Sequence, residues 1–409
     1  MTSPGGKEKQ RTPKGAYAAL LLATLALAIN FWAWSLLSPL GARLEQELSL
    51  GAMELSLLLA VPVIIGSLGR IVLGAAADRF GGRTVFIAAS LAMLVPVFML
   101  SVAQDYNQLL AAAFLLGIGG ATFVIGVPYL SNWFPLHRRG FVLGLYSMGN
   151  AGTALAGLVT PGLDDLVGRR WTFLLVGLIL VVVAIVLAIW AKNAPGWKPS
   201  RQSPVKSFLS AASSRVTWDL ALLYVITFGA LVAFGVYLPV LLKFAYGLSV
   251  ADAAARAAGF VLLATLARPV GGWLSDKLGA TRVVRVSLLA VAVLAGFAAY
   301  QPNLQLHTTA AYLGMAFALG CGNGAIIALV GKLSKPGTIG SVTGIVGAMG
   351  GLGGFVPPLI LGFTYERTNS FGLALVMLAL SALMVFWYIH LRFGAREYRQ
   401  AVRTRRLRG

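Results

Sequence analysis

The chain has 409 residues, 58% of them hydrophobic and only 11% charged, with a mean hydropathy of +0.81. A soluble domain carries about 25% charged residues, so this composition excludes a water-solvated globular fold and makes a lipid bilayer the natural surroundings. A formal charge of +20 raises the idea of nucleic-acid binding, but the basic residues sit in short connections between apolar runs, as the positive-inside rule expects of a membrane protein.

The amino tail, 1–16, is polar and basic (Lys7, Lys9, Arg11, Lys14). The first apolar run behind it is long, lacks a small-residue cleavage site and leads into further runs, so it reads as a retained span rather than a signal peptide. Runs of the roughly 20 residues that a bilayer needs follow at 17–40, 53–77, 83–102, 108–133, 140–161 and 171–191, then at 217–243, 251–275, 282–300, 308–333, 338–363 and 370–391. Between the sixth and seventh lies 192–216, rich in Pro, Ser and basic residues, as linkers are. The expected organisation is therefore a six-helix bundle over 17–191, a linker over 192–216, a second bundle over 217–391 and a basic tail over 392–409.

With both termini and the linker placed on one side, that side holds 25 of the 33 Lys and Arg, the other side six, and two lie inside spans. Such an asymmetry sets the termini in the cytoplasm of a multi-pass protein of the cell inner membrane. The single cysteine, Cys321, has no partner for a disulfide, and the three histidines, His137, His307 and His390, lie near span ends. No metal site, cofactor or nucleophile–base pair is legible, which argues against an enzyme.

The two halves repeat each other. GRIVLGAAADRFGGR (Gly69–Arg83) has a counterpart in ARPVGGWLSDKLGATR (Ala267–Arg282), and in each an Arg precedes a Gly by four residues and an Asp by eight: Arg70, Gly74 and Asp78, then Arg268, Gly272 and Asp276. Internal repeats mark transporters, with the substrate site near the midplane between them. An aspartate at a helix end, flanked by Arg and small Gly, can pair with a neighbouring helix end in one conformation and release it in another.

Arg70 and Arg268 are the two basic residues inside spans. Burying an arginine there costs about 2.5–3.5 kcal/mol on insertion scales, so such a residue normally faces a cavity and marks a substrate or ion path. All 13 acids fall in loops, tails or span ends, which leaves the pair without an evident carboxylate. A guanidinium offers a planar fork of donors suited to oxyanions, so an anionic substrate is the expected counter-ion. Glycine is concentrated at matching places, GLYSMGNAGTALAG (Gly144–Gly157) and GIVGAMGGLGGF (Gly344–Phe355), where small residues let helices approach and slide. Asn150 adds an amide within a span.

The stretch Gly74, Asp78, Arg79, Gly81, Arg83 resembles the loop between spans two and three that is the hallmark of the major facilitator superfamily. The likeness extends over essentially the whole chain. The two Gly-rich stretches, with AVPVIIGSLGR before and including Arg70, resemble the nitrate/nitrite porter family within it. That resemblance implies an all-α membrane fold of twelve helices in two pseudo-symmetric bundles, and nitrate or nitrite moved by alternating access. It implies substrate contacts from Arg70, Arg268, Asn150, Tyr224, Phe228, Phe123 and Phe31, with the aromatic rings sandwiching a flat anion. Gating contacts are expected from Gly74, Asp78, Arg79, Arg83, Gly149, Gly272, Asp276, Gly350, Gly351, Gly353 and Gly354. The expected partners are the anion, protons in a symport mode, and the bilayer, with the protein acting as a monomer. No intramembrane carboxylate or His stands ready as a proton carrier, which favours exchange, although the compact spans also resemble a proton-linked uptake branch. Rival readings are a porter for cyanate, formate or a dicarboxylate, and a non-transporting membrane sensor, for which the tails are too short.

Overall fold

The computed structural model describes residues 12–200, 202–300, 302–354 and 371–406. Lys7, Lys9 and Arg11 of the amino tail, the far part of the expected span eleven with Phe355, and the last three residues of the basic tail lie outside the described residues. Every described element is helical, as hydrocarbon requires of a backbone that must satisfy its own hydrogen bonds.

Span one is Ala16–Trp34 and span two Ala52–Phe80; span three runs through Gly82–Ala92 and Leu94–Val102, and span four through Tyr106–Ala121 and Phe123–Trp133. Span five begins as Arg139–Tyr146, tightens into a 3-10 turn at Ser147–Ala151 and continues into the helix Gly152–Trp190. That helix also contains span six. The expected break between them shrinks to one residue, Gly168, at φ 80° and ψ 160°. In the polar stretch before it, Arg43 holds Asp164, and Asp165 at 2.8 Å, at the end of the bundle away from the linker.

In the second half, span seven is Arg215–Tyr246, span eight Val250–Leu274, span nine Ala280–Ala299 and span ten Leu306–Leu333. Span eleven is described over Ile339–Gly353 and span twelve begins the helix Gly372–Arg406. Spans eight and nine are continuous through a π-turn, Ser275–Gly279, and turn at Gly279, φ 92°. Among the described residues, nine helical stretches are long and apolar enough to cross a membrane. Two of them divide at these glycines and span eleven is a shorter apolar helix, which gives twelve crossings.

Large apolar side chains face outward (Leu158 is 82% exposed and Trp190 62%) while small residues line the helix contacts. Without water to drive apolar association, close backbone packing holds such helices together. Such approaches occur within each half, and two of them join the halves at the end of the bundle that carries the linker. A Cβ on Gly74 of span two would stand 2.2 Å from the Gly340 carbonyl of span eleven, and one on Gly272 of span eight 2.0 Å from the Gly140 carbonyl of span five. Only glycine fits at these crossings. The linker itself contains a helix, Pro204–Ala212, capped by Ser203, whose Ser207 hydroxyl meets that of Ser341 at 2.7 Å.

Candidate functional site

Spans two and eight carry Arg70 and Arg268 into the middle of the bundle, 5% and 3% exposed. Among the described residues neither meets a carboxylate; both meet backbone oxygen instead. Arg70 Nε donates to the Gly120 carbonyl at 3.3 Å and its Nη1 to that of Gly347 at 2.6 Å, while Arg268 Nη1 donates to the Ser147 carbonyl at 3.4 Å. Gly347 lies in span eleven and Ser147 in span five. Each arginine thus reaches into the Gly-rich span of the opposite half.

Phe228 joins them. Both guanidinium carbons stand 5.7 Å from the centroid of its ring, so the two cations are at most about 11 Å apart. At an effective dielectric of about 20, charges at that separation repel by at least roughly 1.5 kcal/mol. A bound anion removes that cost. Tyr224, one helical turn earlier on the same face, is buried and stacks on Phe228 at 4.9 Å with the planes 1° apart. Four of the expected contacts, Arg70, Arg268, Tyr224 and Phe228, therefore form one cluster.

The other expected contacts stand around it with their own partners. Phe123 is buried and stacks on Tyr146 at 5.6 Å. Phe31 is buried edge-on to Trp34 at 5.1 Å, and the Trp34 indole donates to the Pro62 carbonyl at 3.0 Å. Among the described residues neither Phe31 nor Phe123 lies over a guanidinium. Asn150 falls in the 3-10 turn, one turn beyond Ser147, and its Oδ1 has no hydrogen-bond partner among the described residues. With Thr153, Gly235, Pro239 and Thr265 it lines a cavity of about 290 Å³ between spans five, seven and eight.

The repeat aspartates make a reciprocal pair of caps. Asp78 Oδ1 accepts from Gly340 N and Oδ2 from Ser341 N, both at 2.8 Å, with the Ser341 hydroxyl at 3.0 Å. These are free N–H groups in the first turn of span eleven. Asp276 accepts from Gly140 N at 3.0 Å and Phe141 N at 2.8 Å in the first turn of span five, and pairs with Lys332 at 2.7 Å. Each half therefore caps a helix of the other, and the linker end of the bundle is closed. Arg79 and Arg83 stand apart from the caps: Arg79 lies over Phe80 at 5.6 Å, and Arg83 donates to the Ala188 carbonyl at 2.6 Å.

The named glycines mark close approaches. A Cβ on Gly350 would sit 2.3 Å from the Tyr224 ring, one on Gly351 2.3 Å from Ser67 Oγ and 3.1 Å from Arg70 Nη1, and one on Gly149 2.8 Å from Leu27. Gly353 and Gly354 face Val225 and Val232 of span seven. Ser341, Ser147 and Gly347 also belong to these contacts, through backbone groups that nothing in the sequence singles out. The P-G-T-I-G-S start of span eleven signals a helix beginning, but its acid comes from 262 residues away. Among the described residues no three His, Cys, Asp or Glu side chains gather as a metal would need.

The sequence model of the Major Facilitator Superfamily matches residues 23–323 and 220–407. A probable nitrate/nitrite transporter of Mycobacterium tuberculosis, NarK2, is 42% identical over 388 residues, which is 94% of this chain and 98% of that protein. The nitrite extrusion protein of Bacillus subtilis is 38% identical over 90% of this chain and 92% of its own length. A probable nitrate transporter of Staphylococcus carnosus, NarT, is 35% identical over 90% of this chain and 95% of its own. Among solved structures, the human organic anion transporter MFSD10 superposes with a TM-score of 0.72 at 15% identity, over 92% of this chain and 100% of that one. The transporter FucP in its outward conformation gives 0.72 at 17%, over 91% and 98%. At those identities the likeness shows the fold alone, while the sequence matches place the chain among membrane transporters. The chain belongs to the Major Facilitator Superfamily, in its nitrate/nitrite porter family.

Proposed function

We propose that this protein carries nitrate and nitrite across the cytoplasmic membrane by alternating access, the anion lying between Arg70 and Arg268 against Phe228. The observation that carries this reading is one buried guanidinium from each half above a single ring, with no carboxylate beside either among the described residues. A planar oxyanion supplies the missing charge, and its flat face suits the stacked Tyr224 and Phe228. Asn150 and the cavity beside it form the approach from the outer side, and Phe31 and Phe123 complete the apolar walls.

The basic loops, the linker and both termini face the cytoplasm, so the Asp78 and Asp276 caps close the cytoplasmic side in the state described. The organisation into bundles over 17–191 and 217–391 lets one half rock on the other as a monomer. Return of an empty carrier leaves two like charges over one ring, whereas return with an anion does not. This favours nitrate/nitrite exchange over proton-linked uptake.

Transport in proteoliposomes tests the reading. Internal nitrite should accelerate nitrate uptake, and a proton gradient alone should not; the opposite result means symport. Cyanate, formate and dicarboxylates should compete weakly with nitrate. Arg70→Lys and Arg268→Lys each lose the fork and its charge-assisted bonds, about 1.5–3 kcal/mol apiece, and should transport at a small fraction of the parent rate while still folding. Near-normal nitrate transport by either would sink the site.

A further inference from the structure

Span ten crosses span eight on glycines: a Cβ at Gly320 would lie 2.1 Å from the Ala264 carbonyl, and one at Gly324 2.1 Å from that of Arg268. Span four repeats this crossing on span two, where a Cβ at Gly117 would lie 2.8 Å from Gly66 N. Gly66 and Ala264 each precede their arginine by four residues. Gly320 thus corresponds to Gly117, and Asn323 to Gly120. The neighbouring contacts keep the register: Gly119 packs on the Asn30 carbonyl, whose amide side chain bonds Ser90 at 2.9 Å, and Gly322 packs on Thr227 and Ser287.

At this position the two halves differ. The Gly120 carbonyl takes Arg70 Nε, whereas the buried Nε of Arg268 has no hydrogen-bond partner among the described residues. Asn323, 1% exposed, leaves both Oδ1 and Nδ2 without one. An unpaired buried amide is costly, and so is an unpaired guanidinium N–H. Pairing of the two side chains with each other, and with an anion that arrives during the transport cycle, accounts for both.

We propose that Asn323 is a substrate-site residue of the second half, its Oδ1 accepting from Arg268 Nε and its Nδ2 donating to an oxygen of the bound planar anion. The proposal rests on the reading of Arg70 and Arg268 as the anion site. It also makes the site asymmetric: the extra donor serves an oxygen that the two guanidinium forks leave over, so an anion with three oxygens gains more from it than one with two.

The test is calorimetric titration of the purified full-length protein with nitrate and with nitrite, alongside its melting temperature without anion. Asn323→Ala and Asn323→Gly, the second copying Gly120, should weaken nitrate binding about tenfold, the worth of one charge-assisted bond. Nitrite binding should fall clearly less, and the anion-free melting temperature should hold. If both variants bind nitrate as the parent does while Arg268→Lys does not, the proposal is overturned and the anion site stands. Nitrate binding by Arg268→Lys at parent strength would instead overturn the site itself. A lowered melting temperature with both affinities intact means a packing role and also overturns the proposal, as does an equal loss for the two anions. Should Asn323→Gly fold poorly, Asn323→Ala carries the comparison.

Discussion

Asp78→Asn should shift the protein toward opening at its linker end. Both carboxylate oxygens are engaged, Oδ1 with Gly340 N and Oδ2 with Ser341 N and its hydroxyl. An asparagine keeps one acceptor and turns an N–H group toward the Ser341 N–H. The loss is one charge-assisted bond, about 1.5 kcal/mol, and the attraction of a negative charge for the helix N-terminus, about 1 kcal/mol. Together these amount to about 2.5 kcal/mol, roughly 70-fold in the closed-to-open ratio. Asp276→Asn acts on span five in the same way and also strands Lys332, now 2.7 Å from the carboxylate. Spin labels at His137 and Lys335, exposed positions in loops of opposite halves, read the separation by double electron–electron resonance in a Cys321→Ala background. The longer-distance population should grow in either variant and dominate in the double. Distance distributions identical to the parent in Asp78→Asn would mean that this cap does not hold the linker end shut.

Two further substitutions test the cluster. Phe228→Leu removes the platform that both guanidiniums share; cation–π contacts are worth about 0.5–2 kcal/mol each, so nitrate affinity measured by titration should fall about tenfold, and unchanged affinity would reduce the ring to packing. Gly350→Ala drives a methyl to within 2.3 Å of the Tyr224 ring; overpacking of this kind costs about 1–3 kcal/mol, so melting temperature and uptake should both drop, and retention of both would show that the ring can yield.

The arginine pair was legible because charge is conspicuous in an apolar chain and the repeat located one member in each half. The span positions were legible because hydropathy and length suffice for them. The 3-10 turn at Ser147–Ala151 was not, since hydropathy counts apolar length and is blind to a change in hydrogen-bond period within it. The role of Asp78 was half legible: its place at a helix end predicted a switchable contact, but the partner is a pair of backbone N–H groups, which carry no side-chain signature. The same holds for Arg70 and Arg268, which rest on the carbonyls of Gly120, Gly347 and Ser147. Phe228 was expected at the site, yet its position beneath both cations depends on how the halves meet.

The exchange of caps between repeats bears on how the chain is connected. Asp78 serves span eleven and Asp276 serves span five, so the bonds that join the bundles are non-covalent and run in both directions. The peptide linker, although its Ser207 also meets Ser341, should then serve to raise local concentration rather than as the hinge itself. Two genes, each encoding one bundle, should reassemble into a working carrier in the membrane, while two copies of either bundle would match each aspartate to the wrong helix end.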